Sequence, residues 1–434
     1  MRTSVTGVFW RQHAISDILL TTELEPTPSP NNRSVRYTYR MGYKTYTCAI
    51  AKRCGGCELL AVPYELQLRR KQAAMEELFA QVTESDGAAV EPIHGMDKPL
   101  AYRHKAASPY APGKRMRCGF YERGTHRLVY CKHCLTEAPG VRAILNDVAR
   151  VADDLRIPAY HEDSGRGVLR HAVVRTGYAT RETLLTVVTN GPRLPHAEAF
   201  LRRMLKRHPE ITSVVQNVND RRTNAILGTR NNTLFGSGVM HDSLLSCTFE
   251  IGPTSFYQTN PAQTEVLYQL AIEGIGDAAT LLDAYCGTGT IGLCAAAQAR
   301  AAGRELEVVG VEQVSGAVGC ARRNARANDL AKTCHFTCDN ATKWMATQKR
   351  ASFDAVILDP PRAGSTPEFL AGVARLAPKR VAYVSCNPTT QVRDLAVLRE
   401  HGYRASRIAP VDMFPHTKHV ETVVLLAKAG QSNA

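Results

Sequence analysis

The chain has 434 residues, 44% of them hydrophobic, enough to bury a sizeable core divided among two or three domains. No stretch approaches the roughly 18 uninterrupted apolar residues of a membrane span, and "MRTSVTGVFWRQHAISDILL" at the N-terminus lacks the apolar centre of a secretory signal, so a cytoplasmic protein is expected. The formal net charge of +14 is uneven: residues 1–249 hold 35 Lys/Arg against 23 Asp/Glu, residues 250–434 only 19 against 17, which points to a nucleic acid held by the first part.

Residues 1–47 are polar, and "EPTPSPNNRS" reads as a linker. The segment "CAIAKRCGGC" follows, with Cys48-x5-Cys54-x2-Cys57 spaced as ligands would be; Cys131 and Cys134 in "VYCKHCL" are candidates for a fourth. In a reducing compartment such thiols suit zinc or an iron–sulfur cluster, and spacing alone does not choose. A helix is expected over 64–82, where Leu66, Met75, Leu78 and Phe79 recur at roughly helical intervals. Residues 100–250 read as β-rich, as in "HAVVRTG", "TLLTVVTN" and "ITSVVQNVND". Here Arg103, Lys105, Arg115, Arg117 and Arg123 are candidate phosphate contacts, with Phe120 and Tyr121 as stacking surfaces.

From about residue 279 strands alternate with alanine-rich helices: "TLLDAYC", "LEVVGVE", "CHFTCD", "FDAVILDPP" and "RVAYVSC" are the candidate strands. This pattern predicts a parallel sheet covered on both faces. The final "ASRIAPVDMF" and "HVETVVLLAK" have no long helix between them, so the sheet is expected to end in an antiparallel pair. Gly287, Gly289 and Gly292 form a G-x-G-x-x-G turn after the first strand, and Glu312 ends the second, as a nucleotide-like ligand requires. That much suits NAD or S-adenosylmethionine equally. Asp359-Pro360-Pro361 at the end of the fourth strand resembles the fourth motif of adenosylmethionine-dependent methyltransferases and has no counterpart in the dinucleotide fingerprint.

Cys386 ends the fifth strand on the same rim. By analogy with that methyltransferase class, the last, antiparallel strand lies beside the fifth and brings Glu421 to face Cys386, with His416 and His419 nearby. A methyltransferase needs a thiolate when the acceptor carbon is as unreactive as C5 of uracil: addition at C6 sends electron density to C5, and a base must afterwards remove the C5 proton.

The chain as a whole resembles the RNA uracil-C5 methyltransferase family. The likeness runs from about Cys48 to Lys428 through "AYRHK", "GFYERGTH", "LRHAVVR", "SFYQTNP", "DAYCGTG", "LDPPRAG", "SCNP" and "DMFPHTKHVE". It implies a class I, Rossmann-like α/β methyltransferase domain beside a β-rich RNA-binding region that carries a four-cysteine cluster. It implies Cys386 as nucleophile, Glu421 as proton acceptor, and S-adenosylmethionine held by Gln258, Tyr285, Thr290, Glu312, Asp339 and Asp359. It also implies a [4Fe–4S] cluster on Cys48, Cys54, Cys57 and a fourth cysteine, for which Cys134 fits better by its spacing and following apolar residue. The expected division is 1–47, without the complete small β-barrel that many members carry; 48–250, the cluster and RNA-binding region, whose helix at about 64–82 packs on the catalytic domain; and 251–434, the catalytic domain. The cluster cysteines are like those of the branch acting on 23S ribosomal RNA, which is therefore the expected partner of a monomeric enzyme with no membrane contact. Transfer RNA is the alternative substrate. An NAD-dependent oxidoreductase and a non-enzymatic RNA-binding iron–sulfur protein are the alternatives of other classes.

Overall fold

A computed structural model describes residues 44–429; the expectation of an incomplete β-barrel in residues 1–47 lies almost wholly outside them. Two seven-stranded sheets organise the described residues.

The first sheet has the spatial order Leu128–Tyr130, Arg117–Tyr121, Lys105–Ala111, Leu169–Thr176, Thr183–Thr189, Ile211–Val218, Arg230–Phe235. All neighbours are antiparallel except the pair Thr183–Thr189 and Ile211–Val218. That pair needs a crossover, which the helix Ala197–Arg207 supplies. The same helix and Val141–Asp154 cover one face, through Ile144, Leu145, Val148, Phe200 and Met204. The region read as β-rich thus contains two helices as well.

The second sheet has the order Cys334–Cys338, Glu307–Glu312, Thr280–Ala284, Ala355–Leu358, Arg380–Ser385, Glu421–Lys428, Tyr403–Val411. The first five strands are parallel and the last two antiparallel, as the alternation of strands and helices predicts. The helices Thr290–Ala301, Ser315–Ala327 and Pro261–Glu273 bury one face. Ala341–Ala346, Pro367–Leu376 and Pro388–Glu400 bury the other. This is the Rossmann-like arrangement, with its switch point between Thr280–Ala284 and Ala355–Leu358, where such sheets bind ligands.

The expected helix spans Tyr64–Asp86, from Pro63 at its N-terminus to Gly87 in the left-handed conformation. Its Met75, Phe79 and Val82 pack with Leu395, Leu398, Tyr403 and Ile408 of the second sheet's layer. Likewise the hairpin Met240–Leu244/Cys247–Ile251 shares a core with Leu267, Leu293 and Val308. The expected boundary at 250/251 falls inside the hairpin's second strand, and the hairpin touches both regions, since Asp242 also accepts the N–H groups of Tyr178 and Ala179.

Candidate active site

Parallel strands bring their carboxyl ends to one rim, and four expected residues arrive there for that reason. Glu312 ends one strand, Asp339 and Asp359 follow two others, and Cys386 follows the fifth. Together with Gln258, Tyr285, Gly287 and Glu421 they line a cavity of about 790 Å³, within the size range of small-molecule sites.

Several contacts set this rim. Gly292 donates its N–H to the buried Asp283 carboxylate at 3.0 Å. A Cβ on Gly292 would stand 2.8 Å from Val308 and 2.9 Å from that carboxylate, so only glycine lets the helix start so close to the strand. Tyr285 adopts φ +64°, a left-handed conformation that costs roughly 1–3 kcal/mol in a non-glycine residue. Its ring lies 4.8 Å from that of Phe369. The Glu312 carboxylate accepts the N–H of Val314 at 2.8 Å, and the Glu312 carbonyl accepts the N–H of Asp339 at 3.1 Å.

The break after the fifth strand is built by its own residues. Ser385 Oγ accepts the Asn387 N–H at 3.1 Å, Asn387 Nδ2 donates to the Arg362 carbonyl at 2.9 Å, and Pro388 opens the next helix. Across the antiparallel pair, Ser385 stands opposite Thr422. One step further along this register brings Cys386 opposite Glu421, and both line the cavity.

Burial raises the Cys386 thiol, as do the nearby Glu421 and Asp359, while Arg362 acts the other way. Glu421 is pushed up to about 8 by burial and then by Asp359. Burial alone pushes Asp359 up to about 7. Asp283 also rises to about 7, chiefly by burial, although the Gly292 N–H opposes the shift. The rim carboxyls therefore hold on to protons that a cationic ligand would help to release.

Thr290 departs from expectation. It starts the helix after the glycine turn, is buried, and its hydroxyl lies 3.1 Å from Tyr268 Oη, away from the cavity lining. His416, expected near the pocket, is fully buried elsewhere: its Nε2 meets the Pro99 carbonyl at 2.9 Å and its Nδ1 meets Gln67 Nε2 at 3.1 Å. His419 does line the cavity, 3.4 Å from Arg362. Of the candidate RNA contacts, Arg103 and Lys105 are cavity-wall residues, and burial, then Arg175, lowers Lys105 to about 8. Phe120 lies beneath the Arg142 guanidinium, 4.8 Å from its ring centre. Arg115 and Arg117 are exposed and line neither this cavity nor the one described below. Phe256, 66% exposed at the mouth, is the residue that sequence reasoning missed. Its signal was an aromatic two residues before Gln258 in "SFYQTNP".

Among the described residues, no group of three or more His, Cys, Asp or Glu side chains is arranged to hold a metal ion. A cubane cluster, however, spaces its thiols more widely than one ion does, and here the thiols are close enough to act on one another. Burial and then Cys134 raise Cys57 to about 11, with smaller contributions from Cys54 and Cys48. Cys54 is likewise raised by burial, Cys134 and Cys48. Cys134 is half-buried, whereas Cys131 is buried and its thiol is turned to the His133 carbonyl at 3.2 Å. The thiols of Cys48, Cys54, Cys57 and Cys134 thus stand near one another, and Cys131 is within electrostatic reach of Cys54 and Cys134 as well.

Residues 245–429 match the family model described as tRNA (Uracil-5-)-methyltransferase. An uncharacterized RNA methyltransferase of Halalkalibacterium halodurans is 39% identical over 388 residues, covering 87% of this chain and 82% of that protein. Another, from Staphylococcus aureus, is 38% identical over 384 residues, covering 87% and 83%. Among solved structures, the tRNA (uracil-54, C5)-methyltransferase of Pyrococcus abyssi, in complex with S-adenosyl-L-homocysteine, superposes with a TM-score of 0.71 at 27% identity, covering 86% of each chain. Likeness of this extent accounts for the glycine turn and the Asp-Pro-Pro rim without a nicotinamide. The chain belongs to the S-adenosylmethionine-dependent RNA (uracil-5-)-methyltransferase family.

Proposed function

We propose that this enzyme methylates C5 of a uridine in 23S ribosomal RNA through a covalent bond between Cys386 and C6 of the base. The observation that carries this reading is the strand register that sets Cys386 against Glu421 at a cavity shared with Asp359. Gln258, Tyr285, Glu312, Asp339 and Asp359 would hold S-adenosylmethionine, which supplies the methyl group to C5; Thr290 would act only by fixing the start of its helix. Cys386 loses its proton to solvent and adds to C6; the C5=C6 π pair becomes the C4=C5 bond of an enolate, and the C4=O π pair moves onto the oxygen. After C5 has been alkylated, the Glu421 carboxylate takes the C5 proton, the C5=C6 bond reforms and the thiolate leaves. Arg362, beside Cys386, favours its anionic form on entry and on departure.

Cys48, Cys54, Cys57 and Cys134 would hold a [4Fe–4S] cluster, whose place here is structural: the adjoining Leu59 N–H donates to the His416 carbonyl at 2.9 Å, in the loop that leads to Glu421. These cysteines favour ribosomal RNA as substrate. A second reading, the same chemistry on transfer RNA, is favoured by the likeness to the tRNA (uracil-54, C5)-methyltransferase of Pyrococcus abyssi.

The mechanism is tested by incubating the protein and S-adenosylmethionine with RNA carrying 5-fluorouridine. Fluorine at C5 leaves no proton to remove, so a stable adduct is expected with the wild type and none with Cys386→Ala. Absence of an adduct on both ribosomal and transfer RNA would refute the mechanism. Mapping 5-methyluridine in both RNAs, from cells with and without the protein, decides between the substrates.

A further inference from the structure

A second cavity, of about 620 Å³, opens on the first sheet. Ala107 and Pro109 line it, while Lys105 of the same strand lines the methylation cavity. Alternate residues of a strand point the same way, so both cavities open on one face. Lys105 and Pro109 lie about 14 Å apart at roughly 3.4 Å per residue, a distance that a few nucleotides span.

The floor consists of Arg170 and His171, only 2% and 8% exposed. As neighbours on a regular strand they would point to opposite faces, but the pairing shifts register between Leu169 and His171 and lets both reach the cavity. Each keeps a buried nitrogen without a hydrogen-bond partner, Nε of Arg170 and Nδ1 of His171. Such groups are costly to leave unpaired unless a ligand satisfies them. Tyr121 and His126, whose rings lie 5.5 Å apart, form one wall, and Ile226, 37% exposed, lines the cavity too.

The charges select the kind of ligand. Arg170 Nη1 donates to the carbonyls of Asn219 and Arg221, each at 2.8 Å, and Nη2 lies 3.5 Å from Glu162. Its charge is thus already matched; Arg123, the other arginine of the lining, is paired with Glu58 at 3.2 Å, and Glu162 and Glu122 line the cavity as well. A phosphate would meet two carboxylates. The edge of a nucleobase, with donors and acceptors alternating, would use the free Arg170 N–H and the His171 imidazole, and its faces would meet the aromatic and apolar side chains.

We propose that this cavity binds a second unstacked base of the substrate RNA, a few nucleotides from the target uridine, and thereby reads sequence. This rests on the assignment of the target uridine to the first cavity. The test uses a pool of short random-sequence RNA with one central 5-fluorouridine, selected in parallel by covalent trapping with S-adenosylmethionine and by non-covalent retention on filters. Sequencing of wild-type selections should show one base enriched about tenfold at a fixed position away from the target, the discrimination that edge hydrogen bonds give. His171→Gln and the rim variant Ile226→Ala should each cut that enrichment below about twofold, while the fraction of bound RNA that becomes trapped stays as in the wild type. Enrichment that survives in both variants, or none in the wild type, overturns the second site. Failure of trapping alone overturns the Cys386 mechanism instead, because retained RNA still reports the second base.

Discussion

In the proposed mechanism Glu421 acts after methyl transfer, so its removal should have a distinctive consequence. Glu421→Gln keeps the shape of the site but cannot accept the C5 proton. Ordinary uridine-containing RNA should then accumulate as a methylated covalent adduct, with turnover reduced at least ~100-fold; denaturing gel electrophoresis and mass measurement of the adduct check this. Cys386→Ala should give neither adduct nor product. In the wild type, kcat/KM should climb as pH rises through the range of about 7 to 8 in which Asp359 and Glu421 lose their protons. The raised Cys386 thiol bends the profile in the same direction. The positions of Asp359 and Cys386 were legible because parallel strands end at one rim, and that of Glu421 through the analogy that places the last strand beside the fifth. Thr290 and His416 were not, since one turn of a helix or one buried hydrogen bond decides whether a side chain faces the cavity, and neither leaves a mark on spacing.

The helix Tyr64–Asp86 acts as a clamp on the loop before Glu421. Lys71 Nζ donates to Asp412 at 2.6 Å and to the His419 carbonyl at 3.0 Å, with both charged side chains almost fully buried. Tyr64 Oη donates to the other Asp412 oxygen at 2.7 Å. Lys71→Met would leave Asp412 buried and uncompensated, and should cost ~3–5 kcal/mol of stability. Adding Asp412→Asn, which still accepts from Tyr64, should restore most of that. Activity should recover less than stability does, because the hydrogen bond to the His419 carbonyl is lost in both variants. Urea denaturation and single-turnover methylation separate the two effects. The apolar spacing of this stretch revealed a helix, but partners 341 residues apart leave no local signal, and Lys71 reads as one of several surface lysines and arginines. For the opposite reason the helices Val141–Asp154 and Ala197–Arg207 were passed over: the valine-rich strands around them dominate the pattern of that region.

At the scale of the molecule, rim carboxyls and buried histidines pull the pH dependence of stability in opposite directions. Asp283, Asp359 and Glu421 have folded pKa values raised to about 7, 7 and 8, so the folded chain binds more protons than the unfolded one above the ordinary carboxylate range. Their contribution to stability falls as pH rises towards 8. His94, His104, His171 and His416 are lowered, in each case chiefly by burial, and there the unfolded chain binds more protons; their contribution falls as pH drops below about 6.5. Below that point the two sets oppose each other; between about 6.5 and 8 the unfolded histidines lose their remaining protons and Lys105 begins to titrate, but the three carboxyls outweigh both. Ligand-free protein should therefore lose stability between pH 6.5 and 8, on the order of 1 kcal/mol per carboxyl, as read from urea midpoints. Asp359→Asn should flatten this slope by removing one of the three titrations and easing Glu421 downwards. Saturating S-adenosylmethionine should flatten it as well, since its sulfonium favours the ionised carboxyls, whereas S-adenosylhomocysteine, without that charge, should do so less. Equal flattening by both ligands would show that burial by the nucleoside, not the positive charge, governs the rim.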